Sequence, residues 1–258
     1  MKALPLAGRR VLVTRAAHQA GKFSDGLRAL GAEPVEVPVL EIRPPESFAP
    51  LDAALRKLKQ YEWLIFTSAN SARSVAGRAK ELGIALLPIG SARIAAIGAA
   101  TAAAIEQIGL KVDLVPESYV AEGLVAALAP QIGGKRALIA RAEIARDVIP
   151  DALRAAGATV DVVDAYKNVM PKDAPRLLRA ALEKGIDAAT FTSSSSVTHL
   201  AEAARTAGIA FPFTGVHAVS IGPITSQTLR ELGWEPATEA RVSDVPGLIA
   251  AVDRAFRA

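Results

Sequence analysis

Phe66-Thr67-Ser68 returns as Phe191-Thr192-Ser193, 125 positions later (191 − 66). Three other stretches return in the same order. Gly8-Arg9-Arg10-Val11-Leu12-Val13-Thr14-Arg15 is echoed by Gly134-Lys135-Arg136-Ala137-Leu138-Ile139-Ala140-Arg141, an offset of 126 (141 − 15). Ile97-Gly98 with Thr101 is echoed by Ile221-Gly222 with Thr225, an offset of 124 (221 − 97). Gly123-Leu124-Val125-Ala126-Ala127 is echoed by Gly247-Leu248-Ile249-Ala250-Ala251, again 124 (247 − 123). Four matched stretches whose offset drifts so little mark a duplicated unit. Two copies are too few for a solenoid, which needs three or more. The chain is therefore expected to form two similar domains.

Within each copy, short apolar runs alternate with helical periodicity. Trp63-Leu64-Ile65-Phe66 is a buried strand, the small hydroxyl residues after it form a loop, and the alanine-rich pattern reaching Leu82 is a helix. Gly8 to Arg15, Arg93 to Gly98, Val112 to Val115 and Gly134 to Arg141 read as further strands, and residues 19–30, 51–58, 101–108 and 121–128 as helices. Such alternation implies parallel sheets with helices on both faces. Ligands of these sheets sit beyond the carboxyl ends of the strands. Thr14, Arg15, Thr67, Ser68, Asn70, Gly98, Thr192, Ser193, Ser194, Ser195 and Gly222 fall there, and two facing sets of strand ends would make one cleft. The extended segments 35–42 and 160–169 occupy matching places in the two copies. Periodicity leaves open whether each domain is a contiguous half or the halves exchange segments.

The bulk composition removes several classes of function. The 258 residues are 51% apolar but only 5% aromatic, which is poor in stacking platforms for single-stranded nucleic acid. The net charge of +4 is spread without a basic block, so an acidic small molecule is a better partner than nucleic acid. With no cysteine, disulfides and thiolate chemistry are excluded. His18, His199 and His217 stand far apart, and no metal or cofactor is expected. No segment has the order of a signal peptide and no apolar run is long enough to span a bilayer, so the cytoplasm is the expected compartment and no membrane partner is expected.

Candidate chemistry is sparse. Neither a dinucleotide fingerprint nor a phosphate loop is present, and the serine run 193–196 lacks a G-x-S-x-G frame. Hydroxyl residues at helix starts cap backbone N–H groups, and the free N–H groups there favour an anion. Ile221-Gly222-Pro223 suits a tight strand-to-helix turn, either as a plain helix start or as backbone contact to a ligand. Arg15, Arg141 and Arg146 lie at or past strand ends, where arginine suits a carboxylate or phosphate, although each alone reads equally as a surface ion pair. Tyr166, in Val162-Val163-Asp164-Ala165-Tyr166-Lys167-Asn168-Val169, is either half-buried packing or a phenol reaching a cleft; its surroundings in sequence favour packing.

These residues together resemble the uroporphyrinogen-III synthase family. The resemblance rests on Val11-Leu12-Val13-Thr14-Arg15, Phe66 to Ser71, Ile97-Gly98 with Thr101, the run 155–160 leading to Tyr166, Phe191 to Ser194, and Ile221-Gly222 with Thr225. It covers nearly the whole chain. It implies two α/β domains joined by a two-stranded connector: residues 1–36 with 172–258, residues 44–164, and connector strands 37–43 and 165–171. It implies a cofactor-free cyclase acting on hydroxymethylbilane, a linear tetrapyrrole bearing many carboxylates. The enzyme would remove the hydroxyl of the first ring, invert the last ring through a spiro intermediate and close the macrocycle. Tyr166 would help the hydroxyl leave; the strand-end residues named above, with Thr101, Arg141, Arg146 and Thr225, would hold substrate. The resemblance further implies a monomer receiving its substrate by transient handover from the enzyme that makes hydroxymethylbilane. Ala142 and Ala145 depart from the glycines frequent in the family, and a Cβ there would hinder close backbone approach. The alternatives are a non-catalytic clamshell protein binding an acidic small molecule, and a sugar-phosphate or nucleotide enzyme.

Overall fold

The computed structural model describes residues 4–86 and 92–257. In chain order the strands are β1 (Arg10–Val13), β2 (Glu33–Glu36), β3 (Glu41–Arg43), β4 (Trp63–Phe66), β5 (Arg93–Ala96), β6 (Arg136–Ala142), β7 (Thr159–Val169), β8 (Ala188–Phe191), β9 (His217–Ser220) and β10 (Thr238–Glu239). The helices are α1 (Ala17–Ala29), α2 (Ala49–Arg56), α3 (Ala69–Glu81), α4 (Ala99–Gln107), α5 (Ala121–Ile132), α6 (Val148–Ala155), α7 (Ala174–Glu183), α8 (Ser194–Thr206), α9 (Pro223–Glu231) and α10 (Val245–Ala255). The chain divides into two units, one of residues 1–41 with 169–258 and one of residues 42–168.

Each unit is built on one five-stranded sheet. Unit 1 has the order β10-β9-β8-β1-β2, and unit 2 the order β3-β7-β6-β4-β5. The two copies of the repeat exchange strands. In unit 1, β1 and β2 come from the first copy and β8, β9 and β10 from the second; in unit 2, β4 and β5 come from the first and β6 and β7 from the second. Even the register is shared. Val11 lies opposite Ala188 in unit 1 and Ala137 opposite Trp63 in unit 2, the same pairing displaced by 126 (137 − 11) and 125 (188 − 63). The pairing of β8 with β9 repeats that of β4 with β5, both parallel.

Burial explains why these runs are strands. β4 and β8 are buried at every position, as central strands of a parallel sheet must be. Alternate residues of β4 serve opposite faces. Leu64 and Phe66 pack with α2, α3 and α4, while Trp63 and Ile65 pack with α5 and α6. In unit 1, Leu12 and Phe191 join α7, α8 and α9, and Val11, Val13 and Ala188 join α1 and α10. Each fully buried Leu or Phe on these faces contributes about 1.5–3 kcal/mol. Arg78 ties α3 to α2, its Nε and Nη2 each donating at 2.7 Å to one oxygen of Asp52. Gly31 ends α1 with φ of +91°, a conformation glycine adopts without the Cβ penalty.

Two extended segments differ from the sequence expectation. Residues 35–42 are not one strand: β2 ends at Glu36 in the sheet of unit 1 and β3 begins at Glu41 in that of unit 2, with Pro38 between. Single backbone bonds to β1 still continue past β2, from Val37 N to the Val13 carbonyl at 3.0 Å and from Val39 N to the Thr14 carbonyl at 3.2 Å. Residues 112–115 form only an isolated bridge, Leu114 to Ala95, instead of a strand. Conversely β7 runs without a break through 165–169.

Unit 2 carries an alkaline-sensitive contact. Tyr61 donates to Asp161 Oδ2 at 2.8 Å, and Arg136 Nη2 donates to the same oxygen at 2.8 Å. Burial, then the bond to Asp161, pushes the phenol from 10 up to about 12. A folded-state pKa above the unfolded one means the stabilisation is complete below pH 10 and is lost as pH rises through about 12. Denaturant midpoints should fall over this range in the native chain and fall less in Tyr61→Phe. Parallel curves would rule Tyr61 out as the source.

Candidate active site

The duplicated hydroxyl motifs build the same device twice. Ser68 precedes α3 in extended conformation; its Oγ accepts from Ser71 N at 3.0 Å, and Ser71 Oγ donates back to the Ser68 carbonyl at 2.8 Å. Ser193 and Ser196 repeat this at α8, with distances of 3.2 and 2.6 Å. The cap satisfies one of the donors that a helix start leaves unpaired, and the remaining N–H groups still favour an anion. Ser71 and Ser196, which complete the caps, are fully buried. The S-x-x-S spacing was the sequence signal that marks them.

Tyr166 reaches one of these caps through a β-bulge. Arg141 lies opposite Asp164, but Ala142 lies opposite Tyr166, so β7 carries one extra residue at Ala165. Alternation alone would send Tyr166 to the face of Asp164. The extra residue turns it to the face of Val163 and Ala165, among the residues packed on α3. There the ring is 6% exposed, and its hydroxyl lies 3.1 Å from Ser68 Oγ. Burial raises the phenol above the ordinary tyrosine range, while hydrogen bonds with Ser68 and Asn70 pull the other way. Around neutral pH Tyr166 is a protonated phenol, a donor and not a base.

The arginines divide sharply. Arg15, half-buried at the end of β1, has a buried Nε without a partner, and among the described residues it makes no ion pair or hydrogen bond. Burial lowers its pKa, as desolvation of an unpaired cation must. Its repeat counterpart Arg141 also has an unpartnered Nε, but its Nη1 reaches Asp147 at 2.7 Å and the carbonyl of Arg146 at 3.2 Å. Arg146 is exposed and lies 4.0 Å from Glu122. On the strand face opposite Tyr166, burial and then the Glu143 charge raise Asp164, against the pull of Arg141. Glu143 Oε2 is itself buried and unpartnered.

Several of the expected contact residues are buried. Thr14 is fully buried and donates to the Thr190 carbonyl at 2.6 Å, stitching β1 to β8. Thr101 and Thr225 are buried inside the first turns of α4 and α9. Gly98 and Gly222 are buried too. A Cβ at Gly98 would meet the ring of Tyr119 at 3.0 Å, and one at Gly222 the Ser243 hydroxyl at 2.8 Å. The space each glycine leaves is thus filled by the chain itself. Thr67, Ser68, Asn70, Thr192, Ser193, Ser194 and Ser195 remain partly accessible, Ser194 Oγ accepting from Thr228 at 2.8 Å. Among the described residues, no group of three or more acidic or imidazole side chains could hold a metal ion, and no helix is long and apolar enough to cross a membrane.

Parallel α/β sheets in two units of shared plan, each with a hydroxyl-capped helix at the carboxyl end of an interior strand, β4 or β8, define the class of protein. A family model described as Uroporphyrinogen-III synthase HemD matches residues 21–250. The uroporphyrinogen-III synthase of Synechococcus elongatus is 36% identical over 257 residues, covering 97% of this chain and 96% of that one. Among solved structures, a mutant uroporphyrinogen III synthase of the extremely thermophilic bacterium Thermus thermophilus matches with a TM-score of 0.67 at 23% identity, over 97% of this chain and 99% of that one. The uroporphyrinogen-III synthetase of Helicobacter pylori gives 0.64 at 17% identity, over 95% and 97%. At these identities the two structures speak for the fold alone. The chain belongs to the uroporphyrinogen-III synthase family.

Proposed function

We propose that the chain cyclises hydroxymethylbilane to uroporphyrinogen III with loss of one water, as a cofactor-independent lyase of tetrapyrrole biosynthesis. Beside family membership, the observation that carries this reading is the protonated Tyr166 phenol set against Ser68 at the start of α3. The phenol gives its proton to the hydroxyl of the first ring as the C–O bond breaks. The last ring attacks the carbon so exposed, inverts through the spiro intermediate, and the macrocycle closes. The proton released on closure restores the phenol, so the balance is product plus water.

Holding the flexible bilane is the rest of the task, since alignment of reacting carbons lowers the barrier without any further reactive group. The N–H groups and hydroxyls of Thr67, Ser68 and Asn70, and of Thr192, Ser193, Ser194 and Ser195, suit substrate carboxylates. Among the described residues, Arg15 supplies a cation in unit 1 with no competing partner. Arg141 and Arg146 contribute less, Arg141 because Asp147 already holds it. The enzyme acts as a cytoplasmic monomer, organised as two domains with the connector at 37–43 and 165–171, and takes its substrate by transient handover from the enzyme that makes it.

The test is incubation with freshly made hydroxymethylbilane, oxidation, and separation of the uroporphyrin isomers. Type III is the expected product. Type I alone from folded protein would overturn the reading and leave a binding protein in its place.

A further inference from the structure

Gly98 is a glycine for a reason its backbone does not supply. Its φ of −173° is extended and open to any residue. What crowds a side chain there is Tyr119, whose Cγ, Cβ and Cδ1 lie 3.0, 3.2 and 3.4 Å from where a Cβ would stand. The ring rests on the bare backbone at the end of β5, yet Tyr119 is 42% exposed. Among the described residues it makes no hydrogen bond. An aromatic side chain held against backbone on one side and open to water on the other offers a face on which a flat ring can stack.

The duplication shows that this is a choice and not a requirement of the turn. The turn recurs at an offset of 124. A Cβ at Gly123 would meet the Ser118 carbonyl at 2.2 Å, and one at Gly247 the Val242 carbonyl at 2.1 Å. In the second copy the position of Tyr119 is taken by Ser243 (243 − 119 = 124), which also lies over its glycine, Gly222. A serine therefore suffices to complete the fold there. Only unit 2, the unit that holds Tyr166, carries the aromatic.

We propose that Tyr119 is a substrate-binding residue on which one pyrrole ring of the linear tetrapyrrole stacks; this rests on the cyclase reading above. The sheet order places it suitably. Ile97 N donates to the Phe66 carbonyl at 3.1 Å, so Gly98 lies alongside Thr67 and Ser68. β4 and β5 are adjacent strands, roughly 5 Å apart, and the Tyr166 hydroxyl lies 3.1 Å from Ser68 Oγ at the end of β4. One ring of a four-ring chain can lie on Tyr119 while another meets the phenol. Because stacking acts equally on bilane and transition state, its loss raises KM and leaves kcat in place.

The experiment compares the native chain with Tyr119→Ser and Tyr119→Phe for KM, kcat and isomer ratio on hydroxymethylbilane, with unfolding midpoints as the check on folding. Tyr119→Ser should raise KM about tenfold, the size that truncating a stacked aromatic commonly reaches. Its kcat and midpoint should stay near those of the native chain, and Tyr119→Phe should keep the native KM because the ring is retained. A KM in Tyr119→Ser within about twofold of native would overturn the proposal. So would an equal rise in Tyr119→Phe, or a loss of kcat alone. If the native chain forms no type III isomer, it is the cyclase reading that fails.

Discussion

Tyr166→Phe should lower kcat for type III formation by about 10²-fold, the lower end of what a positioned general acid contributes. KM should hold within about twofold, because the ring stays where it packs and only the proton is lost. The fold should tolerate the change. Ser68 Oγ keeps its bond from Ser71 N, so the α3 cap survives, and loss of one neutral hydrogen bond costs about 1 kcal/mol. The pH dependence separates chemistry from packing. Burial raises the phenol, so it stays protonated beyond the ordinary tyrosine range, and the native rate should hold through that range and fall only at higher pH. The residual rate of Tyr166→Phe should lack that fall. Rates and isomer ratios measured across this range would decide the matter; full activity in the variant would end the role given to Tyr166.

Arg15→Met is expected to pull binding and stability in opposite directions. The native side chain keeps a guanidinium half-buried with no hydrogen-bond or ion-pair partner among the described residues. An unpaired, partly desolvated cation works against folding, so an apolar side chain of similar length should leave the unfolding midpoint unchanged or raise it. If Arg15 instead waits for a substrate carboxylate, its loss removes a charge-assisted hydrogen bond. That would raise KM about 10- to 100-fold. Arg15→Lys should recover only part of the affinity, since the ammonium lacks the planar fork and the buried Nε donor. Arg141→Met is the informative contrast. It strips Asp147 of its partner, so some stability should go with it. A drop in the stability of Arg15→Met with an unchanged KM would show Arg15 to be structural.

Much of the fold was open to reading because local rules and burial agree. Trp63 to Phe66 is an uninterrupted apolar run, and it is a fully buried central strand. Ser68 and Ser193 stand where hydroxyls cap a helix, and both do. The bland reading of Tyr166 as packing describes its ring, and the resemblance directed attention to its hydroxyl. Burial was harder to foresee for single polar residues. Thr14 sits at a strand end, where a ligand residue belongs, but its hydroxyl is consumed by the Thr190 carbonyl. No periodicity distinguishes a threonine that faces a ligand from one that stitches two strands. Tyr119 left no signal, because it precedes a helix in a loop and matters only through the glycine it covers.

The sequence by itself determined the duplication, the strand–loop–helix rhythm and the twin serine caps, since each depends on residues within a few positions of one another or on a repeat visible along the chain. The tertiary structure alone decided which strands share a sheet, and so that the two copies exchange them. It also decided where Tyr166 points. The one-residue bulge at Ala165 is defined by pairing with β6, more than twenty positions away (165 − 142 = 23). Without that partner strand the extra residue is invisible, because a bulge exists only as a mismatch between two strands. That mismatch turns the phenol onto Ser68.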